Sequence, residues 1–231
     1  MSGANPLAGR SPPNGLVARS AKEAHERAAP LQFDAILFDL GGVLIELVGV
    51  ERMLQWCPAL PDIDALWRRW LSSPAVRRYE TGKARRAEFA RDVVEEFALP
   101  VDPDAFLAEF ALWPRRLYDD AETLLGELKP RFRLASLSNT NELHWERFTA
   151  LWRLPSLFHA NFPSYAVGRL KPDADYFEHV LNTLGIAPER ALFMDDNAVN
   201  VEAAARLGII AHRAVGPKGV RAVLAALQLD R

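Results

Sequence analysis

A few side chains in this sequence have the types and spacing for phosphate or metal chemistry. Asp39 closes the apolar run Ala35-Ile36-Leu37-Phe38 and is followed by Leu40 and the pair Gly41-Gly42. Ser138 and Asn139 close a second, largely apolar run, Leu134 to Leu137, and Asp195-Asp196 close a third, Ala191 to Met194. Lys171 stands directly before Pro172. Carboxylates are hard oxygen ligands that suit Mg²⁺, usually held by one or two of them plus substrate phosphate. An ammonium and a hydroxyl neutralise and orient a phosphoryl group. A carboxylate can also attack phosphorus and form an aspartyl-phosphate. Without a cation the three acids would repel one another, and one would tend to stay protonated. Taken by itself, Asp39 is a nucleophile, a metal ligand or a strand-end turn former.

The elements between these residues decide whether they can meet. A buried strand over 33–40, stopped by Gly-Gly, opens the ordered chain. Residues 41–48 read as a loop. From 49 to 118 apolar residues recur at three- and four-residue steps and prolines punctuate them, predicting a block of short helices with no strand. A helix is expected over 119–129, a strand over 133–139, a helix over 141–151 and an irregular stretch with a short strand over 157–167. Helices at 172–185, 198–207 and 217–229 then alternate with strands at 191–194 and 209–211. Strand and helix in alternation imply an α/β fold, a Rossmann-like doubly wound parallel sheet with right-handed crossovers. All strand ends that carry polar residues would then lie at one edge, where such sheets bind ligands. Residues 33–48 and 119–231 form the expected core, 49–118 an inserted helical lid, and 1–32 a disordered tail.

Bulk properties exclude several classes. A formal net charge of −2 lacks the basic footprint of nucleic-acid binding. The sequence holds one cysteine, Cys57, so an internal disulfide is impossible, in keeping with a reducing, cytoplasmic setting. No apolar run is long enough for a membrane span, and no secretory signal core is read at the start. A monomer or a homodimer is expected.

With these four stretches in view, the chain resembles the haloacid dehalogenase-like hydrolase superfamily. Phe38-Asp39-Leu40-Gly41-Gly42-Val43-Leu44, Leu137-Ser138-Asn139-Thr140-Asn141, Lys171-Pro172-Asp173 and Phe193-Met194-Asp195-Asp196-Asn197 through Asn200 resemble its four motifs, in order, over about 33–215. The helical block matches its C1-type cap. The resemblance implies a Mg²⁺-dependent phosphatase with Asp39 as nucleophile and Ser138 and Asn139 binding the phosphoryl group. Lys171 would stabilise the nucleophile and the developing charge. Asp39, Asp195, Asp196 and the main-chain carbonyl of Gly41 would hold the metal, with Asn200 behind them.

One position departs from the superfamily's pattern. Most of its phosphatases carry a second Asp where this chain has Gly41, as general acid and base, a role worth about 10²–10⁴-fold in rate. Either another group substitutes or the leaving group needs little help. The motifs are most similar to a subgroup that includes bacterial α-D-glucose-1-phosphate phosphatase and the N-terminal phosphatase domain of soluble epoxide hydrolases. A small phosphorylated metabolite is therefore the implied partner, with a sugar-1-phosphate as one candidate. The rivals are a haloacid dehalogenase and a non-catalytic binding protein on the same fold. His144 is a candidate substitute acid, although a packed histidine is the simpler reading. The aromatics Trp56, Trp67, Trp70 and Trp113 read as core of the helical layer. The basic run from Arg77 to Arg86 reads as a solvated face, and Glu80 as structural.

Overall fold

The computed structural model describes residues 32–230. The tail expected over 1–32 falls outside them, save Gln32. Strand β1 (Ala35–Phe38) is fully buried and lies at the centre of a five-stranded sheet. Its neighbours are β4 (Arg133–Ser138) on one side and β6 (Ala191–Asp195) on the other, with β5 (Ala160–Pro163) and β7 (Ile210–Arg213) at the edges. Every pairing in this sheet is parallel.

A parallel sheet needs both faces covered, which is why β1 is an unbroken apolar run rather than an alternating one. Ile36 and Phe38 pack with residues of α6 (Ala121–Leu128), α7 (Glu142–Trp152) and α11 (Gly216–Ala226). Ala35 and Leu37, on the opposite face, pack with α9 (Ala174–Leu184) and α10 (Ala198–Arg206). The chain runs outward from β1 through β4 to β5, then crosses back to β6 and β7. The crevice for a ligand therefore lies at the carboxyl end of β1, where the strand order reverses.

Between β1 and α6 the chain makes five helices: α1 (Gly49–Trp56), α2 (Ile63–Ser72), α3 (Pro74–Glu80), α4 (Arg86–Glu96) and α5 (Pro103–Phe110). Their starts are set locally. Asp62, Ser73 and Asp102 each accept a hydrogen bond from a backbone N–H in the first turn of α2, α3 and α5. Pro74 and Pro103 follow as residues whose missing N–H costs nothing there. The helices enclose an aromatic core of their own around Trp70. Its ring lies 5.5 to 6.4 Å from those of Phe89, Phe97, Phe110 and Trp113.

The expected all-helical stretch and the expected loop at 41–48 both need correction. Ile45–Leu47 forms a strand, β2, that pairs antiparallel with β3 (Pro114–Leu117). The ribbon spans the two chain crossings on either side of α1–α5. Runs of three or four residues, one opened by proline, are too short to show a period of two, and only their pairing makes them strands. The short helix α8 (Ser164–Val167) follows β5 directly.

Polar links join the helices to the sheet-bearing part. Arg77 pairs with Asp173, Arg86 with Glu142 and Glu146, and the Tyr79 hydroxyl donates to Glu142 at 3.1 Å. Arg78 pairs with Asp92, so three of the five basic residues from Arg77 to Arg86 are paired. Half-exposed pairs of this kind are worth about 0–1 kcal/mol each, so they set orientation more than stability. Stability of the helical layer rests on its aromatic core. Trp70→Ala is expected to lower unfolding free energy by about 3–5 kcal/mol in denaturant titrations. A loss under about 1 kcal/mol would show that the helical layer does not depend on this ring.

Candidate active site

Three strand ends deliver the site. Asp39 follows β1, Ser138 ends β4 and Asp195 ends β6, so the parallel register puts all three at one edge. Lys171, just before α9, reaches into the same edge and is only 1% exposed. Its ammonium donates to Asp39 Oδ1 at 2.8 Å, to Asp195 Oδ2 at 2.7 Å and to the Leu137 carbonyl at 2.8 Å. All three of its N–H groups are used. Arg169, its neighbour in sequence, instead pairs with Asp175 at the surface.

Asp195 is held from every side. Its Oδ1 accepts the Asn197 backbone N–H at 2.8 Å, and the Asn200 amide donates to both of its oxygens at 3.1 and 3.2 Å. Asn197, not either acid, caps α10. Asn139 is equally committed: its amide donates to the Lys171 carbonyl, and its Oδ1 accepts the Lys171 N–H, both at 2.8 Å. The Asn139 side chain thus fixes the backbone that carries Lys171. Ser138 also lines the cleft.

Gly42 explains the glycine pair. Its φ is +71°, in the left-handed region that favours glycine. A Cβ there would lie 2.3 Å from Asp196 Oδ2. The loop after Asp39 therefore approaches the Asp196 carboxylate as closely as a bare backbone allows. Gly41 is less constrained, since a Cβ would first meet the end of the flexible Leu47 side chain, at 2.8 Å.

Asp39, Asp195 and Asp196 each offer an oxygen, and these atoms lie within 4.8 Å of one another. Burial pushes Asp39 up to about 6; Lys171 opposes the shift and Asp195 adds to it. Burial, then the charges of Asp39 and Asp195, pushes Asp196 up to about 8. Burial works against the Lys171 charge, yet Asp195 and Asp39 outweigh it and hold its pKa above the usual value. One ammonium against three carboxylates leaves a negative surplus. Three hard oxygen donors with surplus charge fit a divalent cation such as Mg²⁺.

The cleft over these groups has two kinds of wall. Asp39, Lys171, Ser138 and Asp196 line one end; Leu47, Trp67, Trp70, Leu71, Phe110 and Trp113 line the other. Four of its lining residues carry a buried polar atom with no partner among the described residues: Glu80 Oε2, Trp113 Nε1, Thr140 Oγ1 and Asn200 Oδ1. Buried polar groups are rarely left unpaired, so their convergence on one cleft marks it as a place where a ligand completes the bonding. Nothing in the sequence marks Thr140 apart from its neighbours or gives Glu80 a functional role. Thr140 lies inside the second motif and Glu80 outside all four, and only a buried atom without a partner distinguishes them.

His144 does not supply the acid missing at Gly41. Burial lowers its pKa to about 4, and its ring is committed, with Nε2–H donating to the Phe110 carbonyl at 2.7 Å. Its Nδ1 is left to accept from the Asn141 amide at 3.3 Å.

The family model for haloacid dehalogenase-like hydrolases matches residues 33–208. The chain belongs to this family. A sesquiterpene phosphatase of Aspergillus oryzae is 29% identical over 190 residues, covering 77% of this chain and 88% of that protein. A D-ribitol-5-phosphate phosphatase of Bacteroides thetaiotaomicron is 24% identical over 191 residues, covering 75% and 87%. Among solved structures, a family enzyme from Bacteroides thetaiotaomicron in complex with magnesium and inorganic phosphate is similar with a TM-score of 0.62. It is 26% identical and covers 79% of this chain and 94% of that one.

Two outcomes follow from this geometry. Gly42→Ala forces a side chain into the Asp196 carboxylate and should weaken Mg²⁺ binding about 10–100-fold by calorimetric titration. Unchanged affinity would mean that Asp196 is not fixed by this contact. The second concerns His144, whose folded pKa of about 4 lies below its unfolded value of 6.5. Its neutral burial stabilises the fold above pH 6.5, and this is lost as pH falls through 4, about 3 kcal/mol in all. Denaturant unfolding across that range should show the slope in the natural protein and not in His144→Gln.

Proposed function

We propose that this hydrolase is a Mg²⁺-dependent phosphatase that cleaves small phosphomonoesters through an aspartyl-phosphate on Asp39. The observation that carries the reading is the Lys171 ammonium buried between Asp39 and Asp195, with Asp196 in the same oxygen cluster. Lys171 holds Asp39 Oδ1 and leaves Oδ2 to attack phosphorus. Ser138 and backbone groups of the Ser138–Asn139 turn would bind the phosphoryl oxygens, because the Asn139 side chain is occupied. The fixed ammonium keeps Asp39 ionised and balances charge as it develops. Asp39, Asp195, Asp196 and the Gly41 carbonyl would hold Mg²⁺, with Asn200 orienting Asp195. When bound, the ion would neutralise phosphoryl charge as a Lewis acid. Water then hydrolyses the aspartyl-phosphate and restores Asp39.

Helices α1–α5, within 49–118, serve in this reading as a cap over the strand ends. They supply the apolar walls, and so they choose the organic half of the substrate. Gly41 calls either for a leaving group that needs little help, such as the anomeric oxygen of a sugar-1-phosphate, or for a proton carrier supplied from elsewhere in the cleft. The walls favour a second reading. Trp67, Trp70, Leu71 and Trp113 offer few hydrogen bonds to sugar hydroxyls and suit the phosphate ester of an aromatic or isoprenoid alcohol. The similarity to a sesquiterpene phosphatase points the same way. A cytoplasmic monomer or homodimer completes the proposal, and no helix among the described residues is long and apolar enough to cross a membrane.

The test is phosphate release from glucose-1-phosphate, farnesyl monophosphate and a primary sugar phosphate, with and without Mg²⁺. Turnover is expected only with the metal, and Asp39→Asn should abolish it while leaving the fold intact. Activity retained in that variant would remove the covalent mechanism, and metal-independent halide release from a haloacid would move the protein to the dehalogenases. Faster turnover of farnesyl monophosphate than of glucose-1-phosphate would favour the apolar substrate.

A further inference from the structure

We infer that Glu80, the last residue of α3, is the general acid and base of this site and takes the place of the side chain missing at Gly41. The inference rests on the phosphatase reading and adds a catalytic residue from the helical block.

Glu80 is buried and lines the cleft together with Asp39, Gly41, Ser138 and Lys171. Its Oε2 has no hydrogen-bond partner among the described residues. It stands at the C-terminal end of a helix, where the helix dipole disfavours a carboxylate. A buried acid with an unpartnered oxygen in that place costs stability, which the nearby Trp70 indole and the Lys171 and Arg77 cations offset only in part. A purely structural acid would have both oxygens bonded.

The end of α3 is also fixed against the strand-end site. One turn earlier, Arg77 pairs with Asp173, two residues beyond Lys171. Two residues later, Gly82 has a φ of +71°, and a Cβ there would lie 2.4 Å from the Tyr165 carbonyl oxygen. The turn after Glu80 is thus pressed onto α8. Other proton carriers in the region are already engaged. His144 is neutral and bonded at both nitrogens, and the Tyr176 hydroxyl donates to the Phe162 carbonyl.

The groups around Glu80 keep it able to exchange a proton near neutrality. Burial raises its pKa to about 7. The Trp70 indole and the Lys171 and Arg77 cations pull it down, and Asp39 pushes it up. Tyr176 also senses the Glu80 charge, but its own pKa stays well above the usual value.

The steps balance. An Asp39 oxygen forms a bond to phosphorus as the bond from phosphorus to the leaving oxygen breaks. That bond's electron pair goes to the leaving oxygen, which takes the Glu80 proton and departs as the alcohol. Water then attacks phosphorus, gives a proton to the Glu80 carboxylate and expels Asp39 as carboxylate. Phosphate leaves with Glu80 protonated again.

The test compares two phosphomonoesters of similar shape and different leaving group, p-nitrophenyl phosphate and 2-phenylethyl phosphate, with Mg²⁺ present. Glu80→Gln should lower kcat/KM for the alkyl ester by about 10²–10⁴-fold. For the aryl ester, whose alcohol leaves without a proton, the loss should stay under about tenfold. A burst of p-nitrophenol is expected as the aspartyl-phosphate accumulates. Glu80→Asp keeps a carboxyl at shorter reach and should recover part of the alkyl activity, and it carries the test alone if the Gln variant does not fold. Equal losses on both esters, or no loss on either, would overturn the role of Glu80 while leaving the phosphatase intact. Hydrolysis of no phosphomonoester by the natural protein, these two esters included, would instead remove the phosphatase reading and this inference with it.

Discussion

The structure depends on one buried ammonium. Lys171 ties the end of β1 through Asp39, the end of β4 through the Leu137 carbonyl and the end of β6 through Asp195. Taking a charge out of water is costly, and only good geometry with several partners offsets the penalty. Here the ammonium has three oxygen acceptors and the Phe193 ring at 5.5 Å. The adjoining interactions read as support for that arrangement. Asn139 clamps the Lys171 backbone, Asn200 and the Asn197 N–H hold Asp195, and Gly42 lets the loop reach Asp196.

This economy of partners separates the groups that hold the site from the groups left to act. Asn139, Lys171 and His144 are saturated with bonds inside the protein. One oxygen of Asp39, the Asp196 carboxylate, Thr140 Oγ1 and Glu80 Oε2 are not. A saturated group can orient and balance charge, but it cannot take a new partner without losing an old one. The division therefore assigns roles without reference to motif order. It also shifts attention to the helical layer, whose contribution is not only shape: it brings an acid and an unpaired indole N–H to a cleft otherwise built from strand ends.

The sequence by itself determined the sheet and its chemistry. An apolar run that ends in Asp39, another that ends in Ser138 and a third that ends in Asp195-Asp196 are local signals, because a strand buried on both faces must be continuously apolar and must stop where it meets solvent. Parallel topology then forces those ends to one edge. Helix starts at Asp62, Ser73 and Asp102 are equally local, written in the residue that caps and the proline that follows. Tertiary structure decided what depends on residues far apart in the chain. The β2–β3 ribbon exists only because Ile45–Leu47 and Pro114–Leu117 meet, and neither run is long enough to declare itself. The commitment of Asn139 to Lys171, the neutrality of His144 and the unpartnered oxygen of Glu80 are all matters of who stands beside whom in a desolvated space. Burial and partner count set what an ionisable group does, and neither is a property of the residue or of its neighbours in sequence. Hence the position of Asp39 could be read from the chain, while the group that would move protons for it could not.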